Sequence, residues 1–169
     1  MELIKSLPDI YDEFSEQRRN SFMAAFEIKE KNIPFVGTFC TYTPNEIIMA
    51  AGAVPVSLCS TSDETIPDAE QDLPRNLCPL VKSSYGFAKT QKCPYFYFAD
   101  LIIGETTCDG KKKMYEMLGE IKDVYCMELP NRQSLMGRKL WREEVVALKN
   151  KLEESLSILL LFKEELWSF

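Results

Sequence analysis

The chain carries six cysteines and no histidine. The missing imidazole removes serine or cysteine triads with a histidine base, histidine-ligated zinc and haem, and the usual proton shuttle near neutral pH. Special chemistry therefore rests on Cys40, Cys59, Cys78, Cys93, Cys108 and Cys126. Thiolate is the form that binds iron or zinc, and a helix N-terminus favours it through exposed N–H groups and the helix dipole. Cys78 (Leu77-Cys78-Pro79) and Cys108 (Thr107-Cys108-Asp109-Gly110) both read as residues at helix starts, and Gly110 allows close backbone approach there. No C-x-x-C spacing occurs, and the six are too dispersed to indicate a structural zinc site. Free cysteine also serves as a small buried hydrophobe, the plainer reading for Cys59, Cys93 and Cys126.

The elements that position these residues follow from periodicity. Residues 1–30 read as a helical segment, with Asp12, Phe14, Phe22, Ala25, Phe26 and Ile28 at roughly helical spacing. Four short apolar runs read as strands: Asn32–Cys40, Val54–Leu58, Phe96–Gly104 and Asp123–Glu128. Between them, Glu46–Ala51, Pro79–Lys89 and Gly110–Ile121 read as helices, and Ser60–Asn76 as a polar loop. Thr43-Pro44-Asn45-Glu46 has the form of a capping box, with Thr43 as N-cap. From Ser134 a long amphipathic helix carries Trp141, Val145, Leu148 and Leu152 on one face.

Strands alternating with helices, without a hairpin signal, predict an α/β fold: a doubly wound, Rossmann- or flavodoxin-like parallel sheet of four strands. The expected organisation is an N-terminal helical segment over 1–30, an α/β domain over 31–133 and a C-terminal helix over 134–169. Ligands of such sheets sit beyond the carboxyl ends of the strands. Cys40, Cys59, Cys108 and Cys126 follow or close strands, and Cys78 opens a helix on the same rim. Cys93 precedes its strand and belongs at the opposite edge. Glu46, close after Cys40, reads either as a general base or as the capping-box partner. Lys111-Lys112-Lys113 opens a helix against its dipole, which fits either solvated side chains or a nearby anion.

At 169 residues the chain is long enough for a real core, with 46% hydrophobic and 27% charged residues. A net charge of −6 argues against general nucleic-acid binding. The N-terminus has no signal-peptide pattern, and the longest apolar run, Ile158–Phe162, is far too short for a membrane span. A cytoplasmic protein with reduced thiols is expected.

The segments GTFCTYTPNEIIMAAGAVPVSL (Gly37–Leu58), LCPLVKSSYG (Leu77–Gly86), DLIIGETTCDGKKKMYE (Asp100–Glu116) and MELPN (Met127–Asn131) resemble, in content and in spacing, the 2-hydroxyacyl-CoA dehydratase D-component family. That family also includes benzoyl-CoA reductase subunits and double-cubane cluster proteins. The resemblance implies an iron–sulfur cluster (4Fe–4S or double-cubane) held by three cysteines per subunit. The matching ligands here are Cys78 and Cys108, with Cys40 as a further ligand or a neighbour. Thr106 and Thr107 would hydrogen-bond a cluster sulfur or shape the loop, and Gly110 would admit the cluster to the backbone.

The chemistry implied is reductive. An ATP-dependent iron–sulfur activator delivers one low-potential electron, which passes to an acyl-CoA thioester and lets a hydroxyl leave through a ketyl radical; double-cubane members reduce small molecules instead. The family's third ligand comes from a second α/β domain. After Glu154 the family pattern gives way, so the resemblance implies a shortened chain, completed by a homologous subunit or a second half. The alternative is an inactive single domain that serves as an interaction module. The apolar terminal residues Leu156, Ile158, Leu159, Leu160, Leu161 and Trp167 predict oligomerisation or aggregation.

Overall fold

The computed structural model describes residues 10–158 of the chain. The expectations placed on Leu159, Leu160, Leu161 and Trp167 lie outside that range. In chain order the elements are α1 (Ile10–Glu30), β1 (Phe35–Thr38), α2 (Asn45–Ala50), β2 (Val54–Ser57), α3 (Ile66–Ala69), α4 (Pro79–Lys89), α5 (Pro94–Phe98), β3 (Leu101–Glu105), α6 (Asp109–Leu118), β4 (Val124–Met127) and α7 (Leu135–Leu156). The four strands pair in the order β2-β1-β3-β4, all parallel, as the alternating pattern predicts.

Helices cover both faces, so the central strands β1 and β3 are buried along their whole length while β2 and β4 are only half-buried. Side-chain alternation along β3 divides the core. Ile102 packs with Phe39, Leu58, Val81, Tyr85, Met114 and Leu118 on the α4/α6 side. Leu101 and Ile103 pack with Val36, Ile47, Ile48, Val145, Leu148 and Leu152 on the α2/α7 side. The same alternation puts Gly104 on the first side. A Cβ there would lie 2.7 Å from the Tyr115 ring, so α6 can pack this close only over a glycine.

Two local readings are corrected. Residues 96–98 belong to α5 and not to the third strand. Pro94 stands in the first turn with its φ already helical, and the short helix buries Phe96 while Tyr95 packs against Phe22 and stacks on Phe35. The aromatic run has strand propensity, but these contacts override it. The loop over 60–76 also contains the four-residue helix α3. Lys82 of α4 is buried there, and it donates to Glu70 Oε1 at 2.7 Å and to the Arg75 carbonyl at 2.8 Å. The loop leading to Cys78 is thereby tied to the helix that Cys78 begins.

Candidate functional site

The carboxyl ends of β1, β2 and β3 gather the chemistry. Cys78 is the N-cap residue of α4 and Cys108 that of α6, both exposed and neither making a side-chain capping bond. The two helix starts pack together at Gly110. A Cβ on this residue would meet Leu77 at 2.9 Å and Val81 at 3.8 Å, so its smallness lets α6 approach the Leu77–Cys78 turn. Both sequence-predicted thiols therefore stand on one rim, free of structural duty.

Beside them lies a tighter cluster. Cys40 adopts a left-handed backbone (φ 69°) just beyond β1. Lys111 reaches its Sγ at 2.6 Å and the Cys59 Sγ at 3.9 Å, while its ammonium sits 5.8 Å above the Phe39 ring. Burial alone would lower the Lys111 pKa. The Cys40 hydrogen bond and the neighbouring sulfurs of Cys59, Cys40 and Cys108 outweigh it and hold the pKa above the ordinary lysine value. The other two lysines behave differently: Lys112 pairs with Asp109, Lys113 with Glu116, and both are exposed. The lysine run thus contains both alternatives, two solvated cations and one turned onto sulfur.

The two threonines also divide. Thr107 Oγ1 lies 3.2 Å from Cys40 Sγ. Thr106 Oγ1 accepts from the Leu129 backbone at 2.8 Å and shapes the exit from β4 instead. Cys126 sits inside β4, half-buried, with its thiol pKa pushed up first by burial. Cys93 is the N-cap of α5, the helix that leads into the start of β3, and is partly packed against the core.

Glu105, which sequence reasoning passed over, holds the Cys40 loop. It closes β3, is fully buried, and accepts on Oε1 from the Tyr42 N–H (2.8 Å), the Thr43 N–H (2.6 Å) and the Thr43 hydroxyl (2.8 Å). Its Oε2 has no partner among the described residues, and neither has the buried Tyr115 hydroxyl. These bonds dissolve the expected capping box. Glu105 takes both Thr43 donors, Pro44 becomes the N-cap of α2, and Glu46 is left exposed on the first turn. The signal was available: Leu101, Ile103 and Glu105 share one parity, so a glutamate occupies a position the pattern assigns to the core.

An open cleft of about 720 Å³ adjoins this rim, lined in part by Tyr42, Thr107, Asn131, Arg132, Arg138 and Trp141. Thr107 is shared between the cleft and the Cys40 contact.

A family model for the 2-hydroxyglutaryl-CoA dehydratase D-component matches residues 40–159, a span that contains Cys40, Glu46, Cys78, Glu105, Cys108 and Lys111. The chain belongs to this family. It is also 61% identical over 155 residues to a putative dehydratase subunit, YjiM, of Escherichia coli strain K12. The match covers 91% of this chain and 40% of that relative's length. Among the described residues, no helix is long and apolar enough to cross a membrane.

Proposed function

We propose that this chain is the part of a 2-hydroxyacyl-CoA dehydratase-type subunit that presents Cys78 and Cys108 to an iron–sulfur cluster. The observation that carries the reading is the pair of exposed thiols at two adjoining helix N-termini, inside the span matched by the family model. The donor chemistry fits such a cluster. The donor number does not suffice, because among the described residues no three cysteine or carboxylate side chains converge as a metal site, and clusters of this kind generally take four ligands. The missing ligands come, in this proposal, from a second copy or from a homologous second part, in keeping with the 40% coverage of the relative.

When bound, the cluster supplies a low-potential electron delivered by an ATP-dependent activator. The residues of this chain do the rest. Cys78 and Cys108 ligate, and the two helix N-termini stabilise the bound negative charge. Lys111 adds a half-buried positive charge on the same rim, and Glu105 fixes the loop that carries Cys40. The cleft beside Thr107 takes the acyl-CoA thioester or a smaller acid, with Arg132 and Arg138 facing its anionic groups. Glu46, exposed on α2, is the general base in this scheme.

Anaerobic purification with iron and sulfide quantitation and a visible spectrum tests the reading, alongside a variant carrying Cys78→Ala and Cys108→Ala. Near-stoichiometric iron and sulfide, lost in the variant at unchanged circular dichroism, is the expected result. A colourless, iron-free but folded protein, also when mixed with a homologous second part, overturns it. That result would favour the second reading, an interaction module without cluster chemistry.

A further inference from the structure

The Cys40–Cys59 pair has no task in the scheme above. Strands β1 and β2 run parallel with Thr38 opposite Ser57, and the Leu58 N–H bonds the Thr38 carbonyl at 3.0 Å. Cys40 and Cys59 each stand two residues beyond that last pair, so the topology sets them side by side at the ends of neighbouring strands. Adjacent strands lie about 4.8 Å apart, within the Cα separations of roughly 4.4–6.8 Å that disulfides span. The ammonium of Lys111 touches one sulfur and approaches the other. Cys59 is exposed and Cys40 half-buried, so a small oxidant reaches both. The other four thiols lie on different elements: two cap helices, one opens α5 and one is inside β4.

We propose that Cys40 and Cys59 form a reversible redox pair, joined by a peroxide in a disulfide across the ends of β1 and β2. A peroxide oxygen transfers to the Cys40 sulfur, giving a sulfenic acid and releasing the other oxygen as water. The Cys59 thiol then attacks that sulfur, and the hydroxyl leaves with the Cys59 proton as a second water. The two thiols lose two electrons and two protons, and the peroxide accepts them. Lys111 acts as a positioning residue, holding Cys40 by a charge-assisted contact and moving aside as the S–S bond forms. The pair does not depend on the cluster reading, because neither Cys78 nor Cys108 takes part.

The test uses the full chain carrying Cys78→Ala and Cys108→Ala beside the unaltered chain, so that cluster loss and disulfide chemistry are read separately. Each is treated with stoichiometric hydrogen peroxide, blocked with N-ethylmaleimide and cleaved after glutamate. Cleavage at Glu46 separates the two cysteines, which no lysine or arginine does. The expected product in both proteins is one intramolecular cross-link between the Cys40 and Cys59 peptides, reversed by dithiothreitol and abolished by Cys59→Ser. Lys111→Met slows its formation about tenfold, and Lys111→Arg restores most of the rate. Both thiols recovered alkylated, a cross-link from Cys40 to Lys111 or Cys108, or disulfides only between chains would each overturn the proposal.

Discussion

The two ends of the sheet handle charge in opposite ways. At the amino end, Asp100 accepts from Lys29 at 2.6 Å and from the Phe35 N–H at 2.8 Å, while Lys122 donates to the carbonyls of Tyr97 (2.8 Å) and Ala99 (2.9 Å). Both of these cations have oxygen partners. Burial, the largest influence, lowers the Lys122 pKa. At the carboxyl end, Lys111 faces sulfur, its pKa is raised, and the buried Glu105 has one oxygen with no partner among the described residues. Lys29, Asp100 and Lys122 are matched to partners, whereas Glu105 keeps unspent bonding capacity in a buried site.

Substitutions test that contrast. The largest effect is expected from Glu105→Ala, which strands three donors around Tyr42 and Thr43 in a buried site. The expected loss is about 3 kcal/mol in a urea titration. A loss under about 1 kcal/mol would mean that the Cys40 loop holds itself. At the opposite edge, Asp100→Ala removes one backbone bond and a part-exposed ion pair, for an expected loss of about 1.5 kcal/mol by the same measurement.

The helix starts give a finer comparison. Ser134 caps α7 by accepting from the Gly137 N–H at 3.0 Å, so Ser134→Ala is expected to cost about 1 kcal/mol. Cys78→Ala and Cys108→Ala remove no capping bond, and each is expected to change stability by less than about 0.5 kcal/mol. Equal losses at all three positions would show the cysteines to be structural. A last effect is confined to alkaline pH. Burial, and then the 2.9 Å bond to Asp72, push the Tyr85 phenol up to about 12. The folded state therefore keeps a proton that the unfolded chain releases near pH 10. The Tyr85 contribution to stability is level below about pH 10 and falls as pH rises from there to about 12. Tyr85→Phe flattens that fall, and phenolate absorbance followed through the titration checks it.

Much of the architecture was legible in the residues. The strand centres, the helix over Pro79–Lys89 and the start of the long helix after Ser134 stand where periodicity and capping signals put them, while that last helix, expected over 134–169, ends at Leu156 with Ser157 in a left-handed turn. The short Phe96–Phe98 stretch did not, because an aromatic run of that length suits either element and contacts with Phe22 and Phe35 made the choice. The placement of Cys78 and Cys108 at helix starts was legible too, since Pro79 and Asp109-Gly110 are local signals.

The α/β layout, the lack of an imidazole among these residues and the placement of two thiols at helix N-termini were already written in the residues. These depend on local periodicity, local capping and residue type. It took packing between distant elements to turn Lys111, and neither Lys112 nor Lys113, onto sulfur. Tertiary packing also decided that Thr107 rather than Thr106 meets Cys40, that one ammonium reaches both Cys40 and Cys59, and that Glu105 displaces Glu46 from the Thr43 donors. Each of those outcomes joins side chains on different strands or helices. Register, strand order and burial set them, and none of these is a property of a short stretch of chain.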